Sequence, residues 1–126
     1  MAERPDDPFL PRQVTIDGYS DNFFHFAGMS HAGSILALPS GIRPWAVRSF
    51  ADVTTSALAP LIAEADAFEL LFFGTGRDPA HLPELQKQAL RAAGLRFELM
   101  PTPAAAATYN VLLGEGRRVA AALVAF

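Results

Sequence analysis

The spacing of apolar residues changes character twice along this chain. From Gln13 to Pro39 it is short and extended: Val14 and Ile16 alternate with polar neighbours, Asp17-Gly18 and Ser20-Asp21-Asn22 supply turn chemistry, and Phe24 and Phe26 flank His25. These signals predict a hairpin or meander. His31 to Leu38 continues in strand-compatible residues until Pro39-Ser40-Gly41 breaks it, and Trp45 to Val47 could add a further short strand. After Asp52 the period lengthens: Leu58, Leu61, Ile62 and Ala65 share one helical face behind Thr54 or Thr55 as a cap. Pro60 kinks that helix unless it lies close to its start.

The back half alternates between the two periods. Leu70-Leu71-Phe72-Phe73 is an unbroken apolar run, the pattern of a strand covered on both faces, and is expected at the centre of a sheet. A helix is predicted from His81 or Leu82 to Ala93, with Leu82, Leu85, Ala89 and Ala92 inward and Gly94 as its left-handed cap. Leu95, Phe97 and Leu99 alternate with Arg96 and Glu98, so this strand is half exposed and nearer an edge, reached by a right-handed parallel crossover. Thr102-Pro103 reads as cap and first helical position, Ala104 to Leu113 as a third helix ended by Gly114 or Gly116, and Val119 to Phe126 as a last strand apolar on both faces. A β-meander front half followed by β-α-β-α-β predicts an α/β fold, a mixed sheet with helices on one or both faces.

Length and composition narrow the picture. With 126 residues, 51% apolar and only 18% charged, the chain is expected to fold as a single domain over residues 13–126. Residues 1–12, rich in proline and charge, read as a flexible arm rather than a secretory or transit signal, which makes a cytoplasmic location the expectation. A net charge of −3 without any basic block argues against nucleic acid or anionic lipid as a partner. Without cysteine there is no disulfide, thiolate nucleophile or cysteine-held cluster. Val119 to Phe126 is far shorter than the roughly 20 apolar residues a spanning helix needs.

Two groups of residues carry candidate chemistry. Gly74-Thr75-Gly76 lies where a strand ends and a loop leads to a helix, the edge where ligands collect in parallel sheets. It lacks the third glycine of a dinucleotide fingerprint and the Gly-Lys-Ser/Thr of a phosphate loop, so a tight structural turn and a ligand-binding loop both stay open. The second group is on and after the third helix: Thr108-Tyr109-Asn110, Glu115 and Arg117 place polar side chains in an apolar neighbourhood. With Thr102 they complete a candidate ligand-binding set of Gly74, Thr75, Gly76, Thr102, Thr108, Asn110, Glu115 and Arg117. His25, His31 and His81 show no metal-ligand spacing, and nothing resembles a nucleophile elbow. No catalytic residue, metal or cofactor is nominated.

Several blocks together carry a family resemblance: Tyr19 with Phe24-His25-Phe26 and Gly28; Gly33-Ser34-Ile35-Leu36 with Pro39 and Trp45; Leu70 to Gly76; Gly94; and Met100-Pro101-Thr102, Ala105, Thr108 to Leu112, Glu115-Gly116-Arg117 and Ala121-Ala122-Leu123. On these residues the chain resembles the uncharacterised family that includes mitochondrial complex I assembly factor 3 and the adipogenesis-associated protein of animals, together with many bacterial relatives. The resemblance implies a three-layer fold of β(2)-α-β(2)-α type with an added β layer. It implies no agreed activity, cofactor or catalytic residues. Ala106 and Ala107 stand where many bacterial members carry cysteine and arginine.

Two functional readings follow. The first is a non-enzymatic interaction module, assembly-factor-like, with a protein partner and peripheral association with a membrane complex such as respiratory complex I. Its motivation is the resemblance, the lack of a catalytic constellation and ten phenylalanines, some of which could form an exposed patch. The second is a small-molecule binding protein or weak enzyme using the groove beside Gly74-Thr75-Gly76.

Overall fold

The computed structural model describes residues 10–126. Two sheets organise them. β1 (Gly18–Ser20), β2 (Phe23–Phe26) and β3 (Met29–Ala32) form an antiparallel meander. β4 (Ile35–Leu38), β5 (Gly41–Pro44), β6 (Leu70–Gly74), β7 (Arg96–Met100) and β8 (Val119–Leu123) form a five-stranded mixed sheet in the order β5-β4-β8-β6-β7. β6 is parallel to both β7 and β8, whereas β4 runs antiparallel to β8 and β5. The helices are α1 (Ala59–Ala63), α2 (Glu84–Ala92) and α3 (Thr102–Gly114).

Strand alternation divides the apolar residues into two cores. Leu36, Leu38, Leu71, Phe73, Ala120, Ala122 and Val124 point to the face covered by Leu61 of α1, Leu90 of α2 and the loop residues Trp45 and Phe50. Phe73 is the hub there, with the rings of Phe50 and Phe97 edge-on at 5.7 and 6.2 Å. Ile35, Ala37, Phe72, Val119, Ala121 and Leu123 point the other way, onto Ala105, Ala106 and Tyr109 of α3 and onto Phe24 and Phe26 of the meander. The layers are therefore helices, sheet, and a third layer shared by α3 and the small sheet: an α/β fold of the kind expected. Alanines on both α3 and β8 let that helix lie close to the sheet.

The structure departs from the sequence pattern at identifiable places. β8, not β6, is the middle strand, although β6 is interior and covered on both faces as its apolar run requires. His31 to Leu38 is not one strand: Gly33, at φ +98°, separates β3 from β4, which belong to different sheets. The stretch expected as one helix after Asp52 is a 3₁₀ turn at Ser56–Leu58, the five-residue α1 with Pro60 in its first turn, and another 3₁₀ turn at Ala65–Ala67. α2 begins at Glu84, and Leu85 is 67% exposed instead of inward. Neither Val14–Ile16 nor Trp45–Val47 forms a strand.

Of the expected arm, residues 1–9 lie outside the described residues. Leu10 forms a two-bond antiparallel bridge with Ile42 on the sheet edge. A Cβ at Gly41 would overlap the Leu10 carbonyl oxygen, so glycine is what lets this segment approach β5.

Candidate functional site

The turn after β6 is built into the start of α3. Thr102, fully buried, does not cap its own helix, whose N-cap is Pro101. Its hydroxyl donates to the Val124 carbonyl (2.8 Å) and accepts from the Gly76 amide (2.9 Å), joining the turn, α3 and the chain beyond β8. Thr75 is used in the same way: its amide donates to Met100 O (2.9 Å) and its hydroxyl to Asp78 O (2.6 Å). The Gly76 carbonyl accepts from the Thr102 amide, and the Gly74 carbonyl from the Val124 amide. A Cβ on Gly74 would stand 2.7 Å from Thr102 Oγ1 and 2.9 Å from Leu123 Cδ2. Gly74 thus meets a close-packing requirement, and the amides of Thr75 and Gly76 are already occupied.

Further along α3 the polar residues serve the chain's own N-terminal segment. Asn110 acts as a surrogate strand partner: its Oδ1 accepts from the Ile16 amide (2.8 Å) and its Nδ2 donates to the Ile16 carbonyl (2.7 Å). Tyr109, buried, donates its hydroxyl to Val14 O at 2.6 Å. Burial pushes the Tyr109 phenol well above its usual range, with the Gln13 side chain partly opposing. Gln13 Nε2 in turn donates to Val119 O (2.7 Å). Thr108 bonds back to Ala104 O (2.9 Å), a common use of threonine inside a helix.

Glu115 and Arg117 lie at the far end of α3, about 20 Å along the helix from Thr102 at 1.5 Å per residue. There Gly116, at φ +79°, closes the helix, its amide bonding Leu113 O and that of Arg117 bonding Leu112 O. Arg117 and Arg118 approach the half-exposed Glu69 at 4.0 and 3.0 Å. The structure therefore brings Gly74, Thr75, Gly76 and Thr102 together, directs Asn110 toward Ile16, and leaves Glu115 and Arg117 apart from both.

On the other side of the Gly76 turn, Thr75 and Gly76 of the candidate set border a cavity together with residues that no sequence motif marked. The cavity, of about 320 Å³, is lined by Arg48, Thr75, Gly76, Arg77, Asp78 and Phe126. The Arg77 guanidinium lies over the Phe126 ring at 5.8 Å, and Tyr19, 39% exposed, contacts the same ring at 5.6 Å between centroids. Arg48 also borders a second depression of about 680 Å³ with Asn22, Ser34 and Val47. The walls are fixed by Asn22, whose amide binds Phe126 O (2.6 Å), and by buried Ser34, whose hydroxyl donates to Val47 O and accepts from the Ala125 amide. Among the described residues no carboxylate lies within ion-pair distance of Arg48 or Arg77. None of the three histidines joins this surface, and partial burial lowers the pKa of His31. Among the described residues no three His, Asp or Glu side chains are grouped to hold a metal ion.

Comparison with known proteins agrees with this architecture. The chain is 43% identical over 120 residues to an uncharacterised protein of Rhodobacter capsulatus, covering 95% of this chain and 91% of that protein. It is 34% identical over 115 residues to mouse NADH dehydrogenase [ubiquinone] 1 alpha subcomplex assembly factor 3, covering 91% of this chain but only 62% of the mouse protein. A crystal structure described as an outer membrane protein from Bartonella henselae superposes with a TM-score of 0.88 at 39% identity, over 92% of this chain and 98% of that one. Residues 16–124 match the family model described as protein of unknown function (DUF498/DUF598), and the chain belongs to that family.

Proposed function

We propose that this protein is a non-enzymatic interaction module of the assembly-factor type, docking onto an acidic protein surface through the patch around Phe126. The observation that carries the reading is the placement of Arg48 and Arg77, neither with an ion-paired carboxylate among the described residues, on one cavity with the Phe126 ring. Arginine beside exposed aromatic rings is the composition of interface anchors, and unpaired cations select a partner of opposite charge. Kinship with assembly factor 3 supports assembly of a respiratory membrane complex as the setting. No helix among the described residues is long and apolar enough to cross a membrane.

Deleting the gene and resolving membrane complexes on activity-stained native gels tests this reading. The deletion is expected to deplete assembled NADH:ubiquinone oxidoreductase, the wild-type gene to restore it, and R48E/R77E to fail while accumulating as folded protein. Normal complex in the deletion strain, or full rescue by the double variant, overturns the reading.

A second reading, a small-molecule site, is favoured by the cavity beside Thr75 and Gly76. A thermal-shift screen against nucleotides and metabolites tests it, because a ligand that prefers the folded state raises the melting temperature. A stabilising ligand whose effect is lost on substituting Thr75 supports this reading; no stabilisation by any compound counts against it.

A further inference from the structure

The two edges of the five-stranded sheet are treated differently. At one, β5 is met by the Leu10 bridge; at the other, β7 pairs with β6 alone. Near the ends of β7, the Arg96 amide donates to Glu69 O (3.4 Å) and Met100 O accepts from the Thr75 amide (2.9 Å). Along a strand the backbone groups that face one neighbour alternate with those that face the other, so Arg96, Glu98 and Met100 turn theirs toward β6. Phe97 and Leu99 therefore direct N–H and C=O away from the sheet, and among the described residues no turn, loop or side chain bonds them there.

Side chains on β7 separate by face. Phe97 and Leu99, in register with Leu71 and Phe73, are half-buried on the side covered by α2. Arg96 and Glu98, in register with Leu70 and Phe72, are exposed on the α3 side. Neither charge forms an ion pair among the described residues. Charges on an edge strand usually deter pairing with other chains. Here, however, two of opposite sign stand two residues apart, a spacing that complements itself in an antiparallel pair.

We infer that the protein forms a two-fold symmetric dimer in which β7 pairs antiparallel with β7 of a second copy, centred on Phe97. In that register the two Phe97 residues exchange both outward backbone bonds. Arg96 of each copy falls opposite Glu98 of the other, at a position where Cα atoms lie about 4.5 Å apart and side chains meet. Leu99 falls opposite Leu95 of the second copy. The neighbouring symmetric registers that the outward groups allow are centred on Arg96 or on Glu98, and each sets a like charge against itself. The junction shares no residue with the cavity beside Phe126, so the docking surface proposed above is present twice in the dimer.

Sedimentation equilibrium of the full chain, with backbone hydrogen exchange followed over the same concentrations, tests this. In about 50 mM salt the wild type is expected to dimerise with a dissociation constant below about 500 µM, and more weakly in about 1 M salt. Exchange at the Phe97 and Leu99 amides is expected to slow as dimer forms, while that at Glu98, already bonded to β6, stays unchanged. R96E and E98R are each expected to weaken association at least about tenfold. An equimolar mixture of the two is expected to restore it, because the variants carry opposite charges at the paired positions, and R96E/E98R is expected to associate like the wild type. A wild type that stays monomeric up to about 1 mM overturns the inference, as does a dimer whose formation leaves Phe97 and Leu99 exchange unchanged; neither result depends on a variant folding. Wild-type association in a folded R96E, or no association in the mixture of folded variants, also overturns it.

Discussion

The side-chain amide of Asn110 pairs with both backbone polar groups of Ile16, at 2.8 and 2.7 Å, so a helix residue performs the work of a neighbouring β-strand for a segment 94 residues away. Ile16 is 4% exposed yet belongs to no ladder, and its amide and carbonyl need partners inside the fold. Asn110→Ala is expected to destabilise by about 2–3 kcal/mol in denaturant unfolding, since both Ile16 groups lose their partner. Hydrogen exchange should accelerate at the Ile16 amide far more than at the amides of β8.

Tyr109 ties the same segment at Val14 and should impose an alkaline limit on stability. Its phenol is neutral in the fold and its folded pKa lies above the unfolded value near 10, so the fold binds the proton more tightly than the unfolded chain. The associated stability is fully present below about pH 10 and is lost as pH rises from there toward the folded pKa, by at most about 1.4 kcal/mol per unit. Tyr109→Phe is expected to cost about 1–2 kcal/mol at pH 7 and to remove this part of the slope above pH 10, measured by urea midpoints across that range.

Packing between the Gly74 turn and α3 predicts an asymmetry between two substitutions at Thr102. Thr102→Val keeps the shape but loses the hydroxyl that serves both Gly76 N–H and Val124 O, and is expected to cost about 2–4 kcal/mol. Thr102→Ser keeps the hydroxyl and should cost less than about 1.5 kcal/mol. Gly74→Ala, whose methyl meets Thr102 and Leu123, is expected to destabilise by about 1–3 kcal/mol. Thermal or chemical melts of the three variants give the comparison.

Much of the fold was legible because local pattern and tertiary role agree. Leu70 to Phe73 reads as a doubly covered strand because both faces of β6 are covered, and Gly94 and Gly116 end helices where the pattern stops. The failures are long-range. Val14 and Ile16 alternate like a strand, yet their backbone is satisfied by Tyr109 and Asn110, which no window of neighbouring residues contains. Thr102 looked like a cap because threonine before a helix usually is one, but its hydroxyl is captured by Gly76 and Val124 across the layer. Asn110 reads in the sequence as a polar residue in an apolar neighbourhood, and its partners are the backbone groups of Ile16. Arg48 and Arg77 are single arginines on separate segments, with no motif to join them before the chain folds.

The interaction surface is tested most directly by site-specific photo-crosslinking in native membranes, with p-benzoylphenylalanine placed at Tyr19 beside Phe126 or, as a control, at Val111, 59% exposed on α3. The account predicts a discrete adduct from position 19 with a protein of the respiratory complex or its assembly apparatus, absent from position 111 and lost when R48E/R77E is added. No adduct from position 19, or the same adducts from both positions, would contradict it.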